Sequence, residues 1–140
     1  MRYICDARGG RTWFQIESEK EAVDESALMN HAVEKYFLRA REDAQRAYVP
    51  TTRAFIEQDI GLAEHLRLAM PMFLTLRDAE GAGLATAMLP PSAAHGDAFT
   101  CVIVGHPNAD PYPQHGDAIA TLASRLGLTL ERDLCFPYRR

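Results

Sequence analysis

A chain of 140 residues carrying 15 Lys and Arg against 19 Asp and Glu, with net charge −4 and pI near 5.7, has no general basic face, which argues against binding nucleic acid through its phosphates. With 47% apolar and 24% charged residues it is balanced as a globular chain, and its length predicts one domain, 1–140, with a core that needs no disulfide or metal staple. No apolar run approaches the roughly 20 residues of a membrane-spanning helix and no signal-peptide core follows Met1, so a soluble, cytoplasmic protein of bacterial type is predicted, with no membrane partner.

Residues 2–7 and 12–17 flank Arg8-Gly9-Gly10-Arg11 and predict a hairpin, since a Gly-Gly centre suits the positive φ of a tight turn. Pairing about that centre sets Cys5 opposite Phe14 and Tyr3 opposite Ile16 on an apolar face, with Asp6 opposite Trp13 on the other, leaving Trp13 partly exposed. Ser18-x-x-Glu21 is a capping box, with acids including Glu25 at the head of a helical pattern and Arg39, Arg41 and Arg46 at its end. Ala22, Met29, Val33, Tyr36, Phe37, Ala40 and Ala44 form its apolar stripe. A continuous helix over 19–48 would run about 45 Å, too long for this domain, so it either breaks near 24–26 or projects. Leu28 and Leu38 lie off the stripe, which points to a homodimer or to a covering helix.

Pro50 ends that helix, and a second runs to Pro71, with 52–57 readable as either helix or strand. Residues 72–77 and 83–89 about Asp78-Ala79-Glu80-Gly81 predict a second hairpin, whose small residues Gly83, Ala85 and Ala87 allow a helix to approach closely. Phe99 to Val104 is apolar without alternation and predicts a central strand. Ile119, Leu122, Ala123 and Leu126 predict a last helix stopped by Gly127, followed by short edge segments and a tail anchored by Phe136 and Tyr138.

The fold class predicted is α+β: a single antiparallel sheet of about five strands with helices mainly on one face, in the order ββ-αα-βββ-α. This order of elements is similar to that of sensor-type α+β folds of the PAS and GAF kind; no motif accompanies the resemblance, so it implies a fold and no site residue.

Candidate chemistry gathers in the loop from Gly105 to Asp117, which holds two imidazoles and two carboxylates on a proline-stiffened path. His106, Asn108, Asp110, His115 and Asp117 are the candidate ligand-binding residues, at the exit of a strand beside a helix N-terminus. His106, His115 and Asp110 (or Asp117) are a candidate metal set, because imidazole with carboxylate suits zinc, iron or manganese. Each residue also has an ordinary reading: Asp117 as helix cap, Asn108 and Asp110 as turn residues, the histidines as solvated. His95-Gly96-Asp97 repeats the trio His115-Gly116-Asp117, a pattern read as coincidence. His31 and His65 read as structural or solvated, and Cys5, Cys101 and Cys135 as buried free thiols, with Cys101 a poor nucleophile because burial raises its pKa. No phosphate-binding glycine loop or nucleophile elbow is present, and no cofactor is indicated. The predicted function is therefore a non-enzymatic homodimer that binds a small molecule or a protein. The alternative is a metal-assisted hydrolase or lyase using the 106–117 loop.

Overall fold

The structure, a computed structural model, describes residues 1–48, 61–91 and 101–139. Gly9 and Gly10, at φ 74° and 72°, close the turn between β1 (Arg2–Ala7) and β2 (Arg11–Ile16), a conformation that costs a residue without Cβ nothing. The register differs from the one predicted. Ala7 pairs with Arg11 and Cys5 with Trp13, and a bulge at Ile4 shifts the pairing so that Tyr3 meets Phe14. Because strand side chains alternate, this one-residue change moves Trp13 from the predicted solvent side into the core, where it is fully buried.

Three further antiparallel pairings extend the sheet: β3 (Met72–Arg77) lies beside β2, a hairpin joins it to β4 (Gly83–Leu89), and β5 (Val102–Gly105) lies beside β4, giving the order β1-β2-β3-β4-β5. The β3–β4 hairpin has the predicted boundaries. β5 is an edge strand rather than a central one. Its outer side is covered in part by the C-terminal tail, where Phe136 bridges Val102 in parallel. Its apolar run has a different cause from two-sided helix cover: Ile103 enters the core, while Val102 and Val104 face a cavity.

The predicted long helix is two helices, α1 (Glu19–Met29) and α2 (Val33–Ala47), broken at Asn30 rather than at 24–26. Asn30 takes the left-handed conformation (φ 50°) that asparagine tolerates, and its N–H closes back on Ser26 O. The Ser26 hydroxyl then accepts from Glu34 N–H at 2.8 Å, capping the start of α2 from the preceding helix. α1 and α2 cover one face of the sheet, where Ala22, Val33 and Phe37 pack on Ile16 and Phe73, the Phe37 and Phe73 rings meeting edge-to-face at 5.3 Å. α3 (Gly61–Ala69) adjoins α2, and His65 donates to Ala44 O at 3.0 Å. The 52–57 segment and His95-Gly96-Asp97 lie outside the described residues.

α4 (Tyr112–Leu126), kinked at His115, crosses the opposite face. There Ala118, Ile119 and Leu122 close a core over Trp13, Leu74, Leu76, Ala85, Ala87, Leu89 and Ile103, and Trp13 Nε1 donates to Ala118 O at 2.9 Å. A bulge between Leu76 and Arg77 turns Gly83 to the α1 side, so the predicted small-residue row serves both layers: Ala85 and Ala87 lie in the α4 core, and Gly83 lies against Leu28 and Met29. A Cβ at Gly83 would come within 2.4 Å of Met29 Sδ. Leu38 is covered by the α1–α2 core, while Leu28 stays 43% exposed. Among the described residues no helix is long and apolar enough to cross a membrane.

Candidate functional site

Glu25 lies three residues after Ala22 and four before Met29, on the buried stripe of α1, and its carboxylate is fully buried against β3 and β4. A buried carboxylate needs compensation, and here two side chains supply it. Arg77 Nη2 donates to Glu25 Oε1 at 2.6 Å, and the Thr86 hydroxyl donates to Oε2 at 2.5 Å. Arg77 is held in turn by its Nε bond to Thr75 Oγ1 (3.0 Å), and Thr75 and Thr86 are cross-strand partners.

The network continues into His31, which occupies the break between α1 and α2. His31 Nδ1 accepts from Val33 N–H at 3.3 Å, which puts the ring proton on Nε2, and Nε2 donates to Thr86 Oγ1 at 2.8 Å. Hydrogen bonds therefore run in one direction, from imidazole to hydroxyl to carboxylate, with the guanidinium closing the far side. Burial lowers the His31 pKa; Glu25 opposes that, and His106 adds to it, so the ring is neutral at pH 7.

His31 and Thr86 form the polar corner of a cavity of about 400 Å³ between the start of α2 and the outer strands β4 and β5. The other walls are mainly apolar: Val33, Tyr36, Phe73, Met88, Val102 and Val104, with Phe136 and Pro137 of the tail on the open side. Asn108, at φ 62°, reaches the same cavity from the loop after β5. The cavity is of the size and character of small-molecule pockets, and among the described residues no lysine or arginine lines it.

The loop residues singled out in the sequence separate into different surroundings. Asp117 accepts both nitrogens of Arg11, at 3.0 and 2.7 Å, and His115 Nδ1 lies 3.2 Å from the same guanidinium. Arg11 holds the Asp117 carboxyl below its ordinary pKa, while burial and then Arg11 lower that of His115. Asp110 accepts from Tyr112 N–H (3.0 Å) and pairs with Arg132 (2.7 Å), a role within the turn and its anchor. Arg132 also lies over the Tyr138 ring, and Tyr138 donates to Ala109 O at 3.1 Å, so the predicted tail anchor by Tyr138 is present. His106 is exposed, and only Asn108 of the set lines the cavity. The structure thus brings His115 and Asp117 together on Arg11 and keeps Asp110 apart with Arg132. Among the described residues no three His, Cys, Asp or Glu side chains converge so as to hold a metal ion.

Glu25, His31, Arg77 and Thr86 do not stand out as a group in the sequence, because the bonded partners lie 52 to 61 positions apart. One signal was present in the sequence: Glu25 occupies an apolar-stripe position between Ala22 and Met29, where a solvated acid does not belong. Comparison with known proteins gives no match: no family model, no curated protein and no solved structure matches this chain.

Proposed function

We propose that this protein is a binding module for a small, neutral, predominantly apolar molecule that sits between α2 and the β4–β5 edge and directs one hydrogen-bonding group at Thr86 and His31. The observation that carries this reading is the mainly apolar cavity of about 400 Å³, with Thr86 and His31 at one corner and Asn108 reaching it from the loop after β5. An anionic group there would meet no counter-charge among the described residues, and the Glu25 carboxylate behind the wall would repel it. Thr86 Oγ1 keeps a second lone pair after accepting from His31 and donating to Glu25, so a ligand hydroxyl or N–H has an acceptor. Of the loop candidates, Asn108 belongs to this site. The metal-assisted alternative has no three-residue ligand set among the described residues to support it.

Thermal melting with phenol, benzyl alcohol and indole, set against benzoate and indole-3-acetate, tests the reading. A neutral probe at a hundred times its Kd stabilises the fold by about 2.7 kcal/mol. Stabilisation by the neutral set and its loss in Val104→Trp, which fills the cavity, support the proposal. An equal response to the anions, or none to any probe in the wild type, overturns it.

Self-association is a separate proposal, supported by the exposure of Tyr36 (56%) and Phe136 (55%), both of which line the cavity. Sedimentation equilibrium showing a monomer throughout the micromolar range removes it and leaves the ligand reading in place.

A further inference from the structure

The three cysteines are free thiols, but two of them are register partners. Phe136 N–H donates to Cys101 O at 2.7 Å and Ile103 N–H donates to Phe136 O at 3.2 Å, which makes Val102 and Phe136 a parallel pair. One step earlier on each strand stand Cys101 and Cys135. Their side chains leave the ladder on the face opposite to Val102 and Phe136, and both pack with the α4 core. Paired strands lie about 4.8 Å apart, inside the Cα separation of roughly 4.4–6.8 Å that disulfides span.

We propose that Cys101 and Cys135 form a reversible dithiol–disulfide pair that fastens the C-terminal tail to the edge of the sheet. The protonation states suit such a pair. The neighbouring Cys101 thiol outweighs burial and lowers Cys135 to about 7, whereas the same neighbour and burial raise Cys101. Cys135 is therefore the nucleophile and Cys101 the protonated resolving thiol. With a peroxide as oxidant, the Cys135 thiolate attacks one peroxide oxygen. An S–O bond forms, the O–O bond breaks, and the departing hydroxide takes a proton to leave as water. The Cys101 sulfur then displaces hydroxide from the sulfenic acid; the S–S bond forms, the S–O bond breaks, and the Cys101 proton leaves with the second water. Two thiols and one hydrogen peroxide become one disulfide and two waters. Exchange with a dithiol such as dithiothreitol reverses the step. Cys135 is fully buried and Cys101 half-buried, so a water-sized oxidant is preferred over a bulky one.

The cross-link has a consequence on the other side of the ladder. Val102 and Phe136, one residue beyond the thiols, both line the cavity, so the disulfide would fix the tail that forms its open wall. This coupling rests on the binding reading above; the disulfide itself does not.

The full chain, reduced and then treated with hydrogen peroxide, is analysed by intact mass, by thiol titration in denaturant and by peptide mapping without reductant. The expected product is a monomer lighter by two hydrogens, with titratable thiols falling from three to one, a single linkage between the Cys101 and Cys135 peptides, and full reversal by dithiothreitol. The rate should rise with pH through about 7, and the melting temperature should rise by about 5–10 °C on cross-linking. Cys5→Ser should behave as wild type, and Cys101→Ser should stop at a sulfenic acid on Cys135 that dimedone traps. Three thiols left after treatment, a linkage through Cys5, or an intermolecular product overturns the proposal, and the wild-type peptide map decides it even where a variant fails to fold. If the disulfide forms but phenol and indole bind neither state, the binding reading fails and the redox pair stands.

Discussion

Arg77 Nη2 and Glu25 Oε1 meet at 2.6 Å beneath α1, and the two partners are unequally buried: the glutamate side chain has no solvent access, while the arginine side chain keeps 16% of its surface exposed. Removing the arginine leaves a buried charge uncompensated; removing the acid leaves a cation that can still reach water. Arg77→Met should therefore cost about 3–5 kcal/mol, and Glu25→Gln clearly less, because the amide can still bond Thr86 and Arg77. Urea unfolding of both variants checks the order; equal losses would mean that the pair is not the asymmetric one described.

The histidines give the protein an acid limb. His31 and His115 both have native pKa values below the ordinary 6.5, burial being the first cause for each. The unfolded chain then binds protons more readily than the native one. Stability contributed by the neutral rings is full above about 6.5 and falls as the pH drops from there through the lowered native values. Glu25 and His106 act on His31 in opposite senses, and Arg11 and Asp117 do so on His115. Melting temperature should fall between pH 7 and pH 5, and His31→Gln and His115→Asn should each flatten that fall. A pH-independent wild type in this window would refute the assignment. Asp117 adds a second, lower limb: Arg11 depresses its pKa, so its contribution is present above the ordinary carboxylate range and is lost as pH falls through the native value.

The parts of the fold legible in the sequence were those with local causes. Gly9-Gly10 and the Asp78 to Gly81 turn marked both hairpins, and that second turn with the flanking Pro71 and Pro90 bounded β3 and β4. What could not be read was where one extra residue enters a ladder. The turn is one residue shorter than its composition suggested, so that Ala7 meets Arg11 and Trp13 rather than Phe14 opposes Cys5, and the bulge at Ile4, which then sets Tyr3 opposite Phe14, gives no compositional sign. The helix break followed a backbone event as well, the left-handed turn at Asn30 with the distant Ser26 cap, and the excess length that required a break did not locate it. Phe99 to Val104 looked central because its run is apolar, but apolarity also serves a strand that lines a cavity. The loop histidines and aspartates drew notice by their density, whereas the buried network joins residues that only the sheet brings together.

The close approach of α1 to the sheet depends on Gly83. An added Cβ would meet Met29 Sδ at 2.4 Å and Leu28 Cδ2 at 2.9 Å, and Met29 is itself fully buried with little room to yield. Gly83→Ala should destabilise by about 1–3 kcal/mol, as overpacking commonly does, and Gly83→Val by more. Chemical denaturation reads the effect directly. A neutral Gly83→Ala would mean that α1 lies farther from β4 than described.

The single tryptophan offers the most direct reading of the sheet's register. Trp13 is fully buried beneath α4, and its indole N–H is bonded to Ala118 O, so the native protein should emit at short wavelength, resist acrylamide quenching, and shift to the red on unfolding. Trp13→Phe keeps most of the apolar volume but leaves the Ala118 carbonyl without its donor, which should cost about 1–3 kcal/mol. Trp13→Ala adds a large cavity and should cost about 3–5 kcal/mol. The register first predicted, with Trp13 opposite Asp6 and toward solvent, requires the contrary set: red emission in the native state, free quenching, and small losses for both variants. Emission and quenching of the unmodified chain alone distinguish the two, because a slip of one residue in β2 exchanges core for surface at this position.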